Sequence, residues 1–206
     1  MYRNFFKRVI DILLSLIGLL VLFPIFFVLW AILMFVNKGK PFFTQRRPGR
    51  NEKVFSILKF KSMTDATDKD GKLLPEELRV TKFGNFMRNT SLDEIPQLVS
   101  VLKGDMSLIG PRPLRVRYLD YYTLREKTRH DVRPGITGLA QISGRNALEW
   151  DDRLELDAQY VEQLSFWLDF KIFFLTIIGI FQSKNQVLNM ELKPLDYNRE
   201  KLQPNG

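Results

Sequence analysis

Between Ile12 and Val36 the chain runs for twenty-five residues without a charged side chain, and that run constrains the fold more than any other feature. As a straight α-helix it would be about 37 Å long, enough to cross a hydrocarbon core of about 30 Å. Basic residues stand on both sides of it: Arg3, Lys7 and Arg8 before, and Lys38, Lys40, Arg46, Arg47 and Arg50 after. Positive residues favour the cytoplasmic face, so both ends are drawn to one side. Pro24, near the middle, offers a way to satisfy both ends, because its missing N–H and its ring interrupt helical bonding. Two halves of about twelve residues, each too short to span, would then enter and return to the same face. A kinked single crossing is the competing reading. A secretory signal is not, since no small-residue cleavage site follows the apolar core.

The charge distribution points the same way. The net charge is +8, and residues 1–50 hold eight Lys and Arg against the single acid Asp11, so nearly all of the excess lies beside the apolar run. This suits anionic lipid or phosphate at a membrane surface, whereas a nucleic-acid-binding chain would spread basic residues over its soluble body. Cysteine is absent, which excludes disulfides, thiolate metal sites and cysteine nucleophiles. The only histidine is His130, so serine–histidine or multi-histidine zinc chemistry must centre there or not occur. About 170 residues remain outside the apolar run, enough for one domain with a modest core. The expected organisation is a membrane anchor at 1–40 and a cytoplasmic, membrane-associated catalytic domain at 41–206. The expected fold class is α+β, mainly helical, with a re-entrant helix–break–helix, a small β-hairpin and interfacial amphipathic helices.

Phe42–Gln45 and Val54–Lys59 are β-prone runs flanking the turn-rich stretch Arg46–Asn51, which predicts a hairpin with Ile57, Lys59 and Lys61 on one face. Residues 64–79 read as an exposed loop. Short helices are expected over Lys82–Asn89 and Leu92–Lys103, the second ended by Gly104-Asp105. Leu114–Lys127 mixes aromatic and basic residues in a pattern suited to a helix in the membrane interface, with ordinary core as the alternative. Arg133–Gly138 reads as a rigid turn. Helix is expected again from Trp150 to Phe181, where Phe166, Trp167, Phe170, Phe173 and Phe174 crowd one segment.

Ser91-Leu92-Asp93-Glu94 reads in two ways. It matches a capping box, with Ser91 bonding forward and Glu94 back. Pro96 complicates that reading, because a proline five residues past the cap forfeits a helical bond. The other reading is chemical: two adjacent carboxylates at a helix start, where one could attack phosphorus to give an acyl phosphate. Anion attacking anion needs positive charge or a divalent metal nearby. Lys59, Arg88, Arg112 and Arg145 lie in or beside turn-like segments and could supply it, with Arg112 held between Pro111 and Pro113.

Four stretches decide between these readings: Lys59-Phe60-Lys61-Ser62-Met63, Ser91-Leu92-Asp93-Glu94-Ile95-Pro96-Gln97, Leu102 to Pro113, and Arg133 to Gln141. Together they resemble the bacterial sugar transferases, the monotopic phosphoglycosyl transferases, over nearly the whole chain. The likeness is strongest to small members that begin N-linked glycan assembly in Campylobacter-type bacteria. Those members have serine before the membrane proline, where this chain has Phe23. The resemblance implies transfer of a phosphosugar from a UDP-sugar to undecaprenyl phosphate through a covalent intermediate, with release of UMP. It implies Mg²⁺, no nucleic acid, and residence at the cytoplasmic face of the inner membrane. UDP-N,N′-diacetylbacillosamine is the donor it suggests first, with UDP-glucose, UDP-galactose and UDP-N-acetylhexosamines as alternatives. Carried over by position, Asp93 matches the nucleophile and Mg²⁺ contact and Glu94 its partner. Lys59, Arg88, Arg112 and Arg145 match the phosphate-binding set, while His130 lies beside a motif and is assigned to structure.

Overall fold

The computed structural model describes residues 1–144, 148–182 and 194–202. Helix α1 (Lys7–Val36) leads into a hairpin of β1 (Phe42–Pro48) and β2 (Val54–Phe60), paired antiparallel with Phe42 opposite Phe60. Short helices α2 (Glu76–Arg79) and α3 (Lys82–Asn89) precede α4 (Gln97–Lys103). Strand β3 (Ser107–Ile109) then pairs in parallel with β4 (Gly135–Thr137), across a connection containing α5 (Leu124–Lys127). Helices α6 (Leu139–Ser143), α7 (Trp150–Gln163), α8 (Phe166–Gln182) and α9 (Leu195–Leu202) complete the described chain. The protein is thus mainly helical with very small sheets.

Helix α1 differs from the expected helix–break–helix: it is continuous, with Pro24 inside it. The helical stretch Tyr2–Val36 is long and apolar enough to cross a membrane. One stripe explains why it stays whole. Lys7, Asp11 and Ser15 are buried, Gly18 lies against Leu98, Leu22 and Phe26 are packed, and Leu29 and Leu33 are buried again. These positions recur every three or four residues, so one face of α1 rests on the domain along its whole length. Pro24 is on the exposed side, where a lost backbone bond removes no packing contact.

The polar residues at the head of α1 have partners on that domain. Lys7 pairs with Asp169 of α8 at 2.7 Å, and Tyr2 and Tyr160 donate to the same carboxylate. Asp11 accepts from the Ser107 hydroxyl and the Leu108 N–H, both at 3.0 Å. Arg8 donates to the carbonyls of Val101 and Leu102, and Arg133 to that of Gly104, so two cations sit on the negative end of α4. At the other end, Leu29 and Leu33 join Phe60, Met87 and Ile95 in a core cluster.

Three expectations are corrected. Leu114–Lys127 is not an interfacial helix but a tight turn at Val116–Tyr121 followed by α5. Its apolar side chains Leu114, Tyr118 and Tyr122 pack inward on Trp150, Leu154 and Leu195. The helix expected from Leu92 begins at Gln97, because Pro96 can stand only at its start. Helix from Trp150 onward is two helices separated at Leu164 and Ser165. The 64–79 segment is mostly irregular, closed by isolated bridges at Met63–Val80 and Thr67–Leu73.

Two glycines set close approaches that fix the site. A Cβ on Gly84 of α3 would lie 1.9 Å from the Ser62 carbonyl oxygen, so α3 can seat against the end of β2 only without one. A Cβ on Gly135 would lie 2.1 Å from the Gly110 nitrogen, where the backbone of β4 holds the start of the Pro111-Arg112-Pro113 segment.

Candidate active site

Three elements converge on Asp93 and Glu94. Lys59 comes from the end of β2, Arg88 from the last turn of α3, and Arg112 from the proline-locked segment after β3. Glu94 is clamped between two cations, with Lys59 Nζ at 2.6 Å and Arg112 Nη2 at 2.7 Å from the same Oε1. Burial pushes its carboxyl up, but Arg112 and Lys59 outweigh that and hold it down at about 2. Glu94 is therefore a fixed anion.

Asp93 is different. It is 7% exposed, with Lys59 Nζ at 3.8 Å, and it accepts no hydrogen bond from the described residues. Burial raises its pKa, the adjacent Glu94 adds to that, and Lys59 pulls the other way. An unclamped carboxylate of raised basicity beside a clamped one is chemically able to act as a nucleophile.

The backbone supports this. Ser91 takes a left-handed conformation at φ 56°, sparsely populated for serine, and its side chain makes no capping bond. The capping-box reading is thereby replaced: Glu94 turns to Lys59 and Arg112 instead of back to the chain. A single tight turn, Leu92–Glu94, presents both carboxylates.

Arg88 is near enough to act electrostatically on Asp93, but its direct partners are the Ser62 hydroxyl at 2.9 Å and Glu76 at 2.6 Å. Arg112 is held from behind. Arg129 donates to the Arg112 carbonyl at 2.7 Å, to the Tyr122 hydroxyl at 3.1 Å and to Asp157 at 2.7 Å, in a pair that is 2% exposed on both sides. Arg145 lies outside the described residues. His130 is buried against the Gly49 carbonyl and the Tyr122 ring, and burial and Arg129 lower it to about 4. It is a neutral packing residue and none of its contacts is with the dyad.

Among the described residues, no group of three or more His, Cys, Asp or Glu is arranged to hold a metal. Asp93 alone still suits Mg²⁺, which commonly keeps several waters and binds through one or two carboxylates plus substrate phosphates. Its oxygens accept no hydrogen bond from the described residues, Lys59 standing off at 3.8 Å.

Reading the sequence alone overlooked Arg47, Gln45 and Gln97, which share a cleft with Lys59 and Arg112. The pairing register carried the signal: alternation puts positions 43, 45 and 47 on the face that bears Lys59.

Comparison with known proteins places this geometry in context. The sequence model described as bacterial sugar transferase matches residues 2–183. The chain is 53% identical over 147 residues to an uncharacterized sugar transferase, EpsL, of Bacillus subtilis, covering 71% of this chain and 73% of that protein. It is 42% identical over 190 residues to a UDP-glucose:undecaprenyl-phosphate glucose-1-phosphate transferase of Klebsiella pneumoniae, covering 87% of this chain and 41% of that one. With an undecaprenyl-phosphate galactose phosphotransferase of Salmonella typhimurium it shares 38% identity over 198 residues, 84% of this chain and 40% of that enzyme. The chain thus spans about two fifths of the length of those two enzymes.

Proposed function

Because the chain belongs to the bacterial sugar transferase family, we propose that it moves a phosphosugar from a UDP-sugar to undecaprenyl phosphate through a covalent intermediate on Asp93. The observation that carries this is the unequal dyad: Glu94 is clamped by Lys59 and Arg112, while Asp93 beside it is buried and free of hydrogen bonds from the described residues. An Asp93 oxygen attacks the sugar-bearing phosphorus and UMP leaves. The lipid phosphate oxygen then attacks the same phosphorus, restoring the carboxylate and giving a lipid diphosphosugar. Lys59 and Arg112 neutralise the phosphoryl oxygens, and Arg88 and Arg145 complete the basic set. Mg²⁺ held by Asp93 and the donor phosphates would add charge neutralisation. This is the first membrane step of a glycoconjugate pathway.

The family likeness suggests UDP-N,N′-diacetylbacillosamine and a protein-glycosylation pathway, while the relatives named for glucose and galactose bring in UDP-hexoses. A screen of UDP-sugars for UMP release, with undecaprenyl phosphate and Mg²⁺, tests the function and ranks the donors. Turnover with at least one UDP-sugar, lost on chelation, is the expected result. Tight lipid-phosphate binding with no UMP from any donor would leave a non-catalytic binding protein.

We infer that the chain sits on the cytoplasmic face of the inner membrane without crossing it, with residues 1–40 as anchor and 41–206 as catalytic domain. The support is the α1 stripe, since Lys7 at one end and Leu33 at the other both pack on one polar domain. A helix crossing the bilayer would hold those ends about 39 Å apart on opposite sides. The outward face of α1, with Leu20, Val21, Phe23 and Phe27 exposed, and that of α8, with Trp167, Phe170 and Phe174 exposed, would lie in lipid. The chain has no native cysteine, so a single introduced thiol reports topology. Asn4→Cys and Lys40→Cys should both resist a membrane-impermeant reagent on intact cells and react after lysis. Labelling of one alone in intact cells would show a crossing.

A further inference from the structure

The hairpin face that carries Lys59 also carries a second set of donors. Phe43 pairs with Lys59 across the hairpin, and Arg47 lies four residues further along β1, about 13 Å away. This face, with Gln97 and Arg112, walls a cleft that opens to solvent. Lys59 and Arg112, the two cations that hold Glu94, are part of its lining.

Two buried donors in the cleft wall lack acceptors. Gln97 is 1% exposed, and its Nε2 has no partner among the described residues. The Nε of Arg47 is also without one, although its Nη2 donates to the Gln45 side chain at 2.6 Å. Buried donors left unpaired are costly and uncommon, and here both belong to residues that line one cleft. Charge is unbalanced in the same place. No carboxylate lines the cleft among the described residues, and Glu94 is already shared between Lys59 and Arg112. Arg47 instead lies within electrostatic reach of Arg112 and Arg115, and burial together with that repulsion brings its pKa down to about 10. A guanidinium that has cations for neighbours and no carboxylate partner among the described residues, as Arg47 does, fits an anion that arrives with substrate.

We propose that Arg47 and Gln97 form a leaving-group subsite that binds the phosphate of the nucleoside monophosphate released in the transfer. The inference rests on the transferase reading and adds residues to it. As the bond from Asp93 oxygen to the sugar-bearing phosphorus forms, the bond from that phosphorus to the bridging oxygen breaks. The bridging oxygen departs with the electron pair on the remaining phosphate, so negative charge grows on UMP. Arg47 meets that charge, and the Gln97 amide donates to a phosphate oxygen. The step needs no proton.

The test is direct binding of UMP and of uridine to the full-length protein in nanodiscs, measured by calorimetry alongside product inhibition by UMP. Wild type should prefer UMP to uridine. Arg47→Met should weaken UMP binding about tenfold or more, the effect of losing one charge-assisted hydrogen bond. Uridine binding should stay as in wild type, so that the preference for UMP collapses. A purely structural role would weaken both ligands alike. Gln97→Met carries the same test with a smaller expected loss, and serves if the first variant does not fold. UMP binding to Arg47→Met equal to wild type would overturn the subsite and leave the transferase reading standing. Failure of wild type to release UMP from any UDP-sugar would overturn the transferase reading itself.

Discussion

Asp93→Asn should lower UMP release by about four to six orders of magnitude, the scale on which removal of a catalytic nucleophile acts. The fold should tolerate it. Asparagine has nearly the same shape, no described residue donates a hydrogen bond to Asp93, and removing its charge relieves repulsion from Glu94. Circular dichroism and thermal unfolding should therefore match wild type while turnover is lost. Glu94→Gln is the informative contrast. It leaves Lys59 and Arg112, each within 2.7 Å of the same oxygen, without their anion, so both cations should lose their positions. Substantial UMP release by Asp93→Asn would remove Asp93 from the role of nucleophile.

Asp157→Asn should produce the largest loss of stability. Arg129 and Asp157 are both 2% exposed and 2.7 Å apart, and removing one partner of such a pair leaves a buried uncompensated charge. The expected cost is about 3–5 kcal/mol, or roughly 6–20 °C in Tm for a chain of this size. Activity should fall too, since Arg129 holds the carbonyl of Arg112 at 2.7 Å. Combining Arg129→Met with Asp157→Leu should recover much of the stability, because an apolar replacement leaves no orphaned charge. It should not recover full activity, since the Arg112 carbonyl still lacks its donor. A Tm within about 1 °C of wild type for Asp157→Asn would show that the pair is not what secures this region.

The linear motifs were legible because their chemistry sits in adjacent residues: Asp93 beside Glu94, and Arg112 between two prolines. The hairpin was legible too, since β-prone runs flanked a turn, although β1 extends to Pro48. The parallel β3–β4 pair was not, because three-residue strands carry no readable period. Leu114–Lys127 misled through composition. Aromatic and basic residues suggest an interface, but Tyr118 and Tyr122 point into the core. Ser91 misled through pattern, since S-x-x-E matches a capping box while Pro96 moves the helix start to Gln97, four residues beyond Asp93. Pro24 by itself predicts a break, yet helix α1 continues because its opposite face is held at Leu22, Phe26 and Leu29. The polar spacing Lys7, Asp11, Ser15 at the head of an apolar run was the available sign of that contact. Arg47 and Gln97 needed both the strand register and burial, neither of which a sequence displays.

The most direct measurement of the central claim is intact-protein mass spectrometry after incubation with an active UDP-sugar and Mg²⁺ but no lipid acceptor. The account predicts a mass gain of one phosphosugar, mapped to Asp93, with an equivalent of UMP released. Adding undecaprenyl phosphate should discharge it. An unmodified protein that releases UMP only when lipid phosphate is present would contradict the covalent mechanism and point to direct transfer between the two substrates.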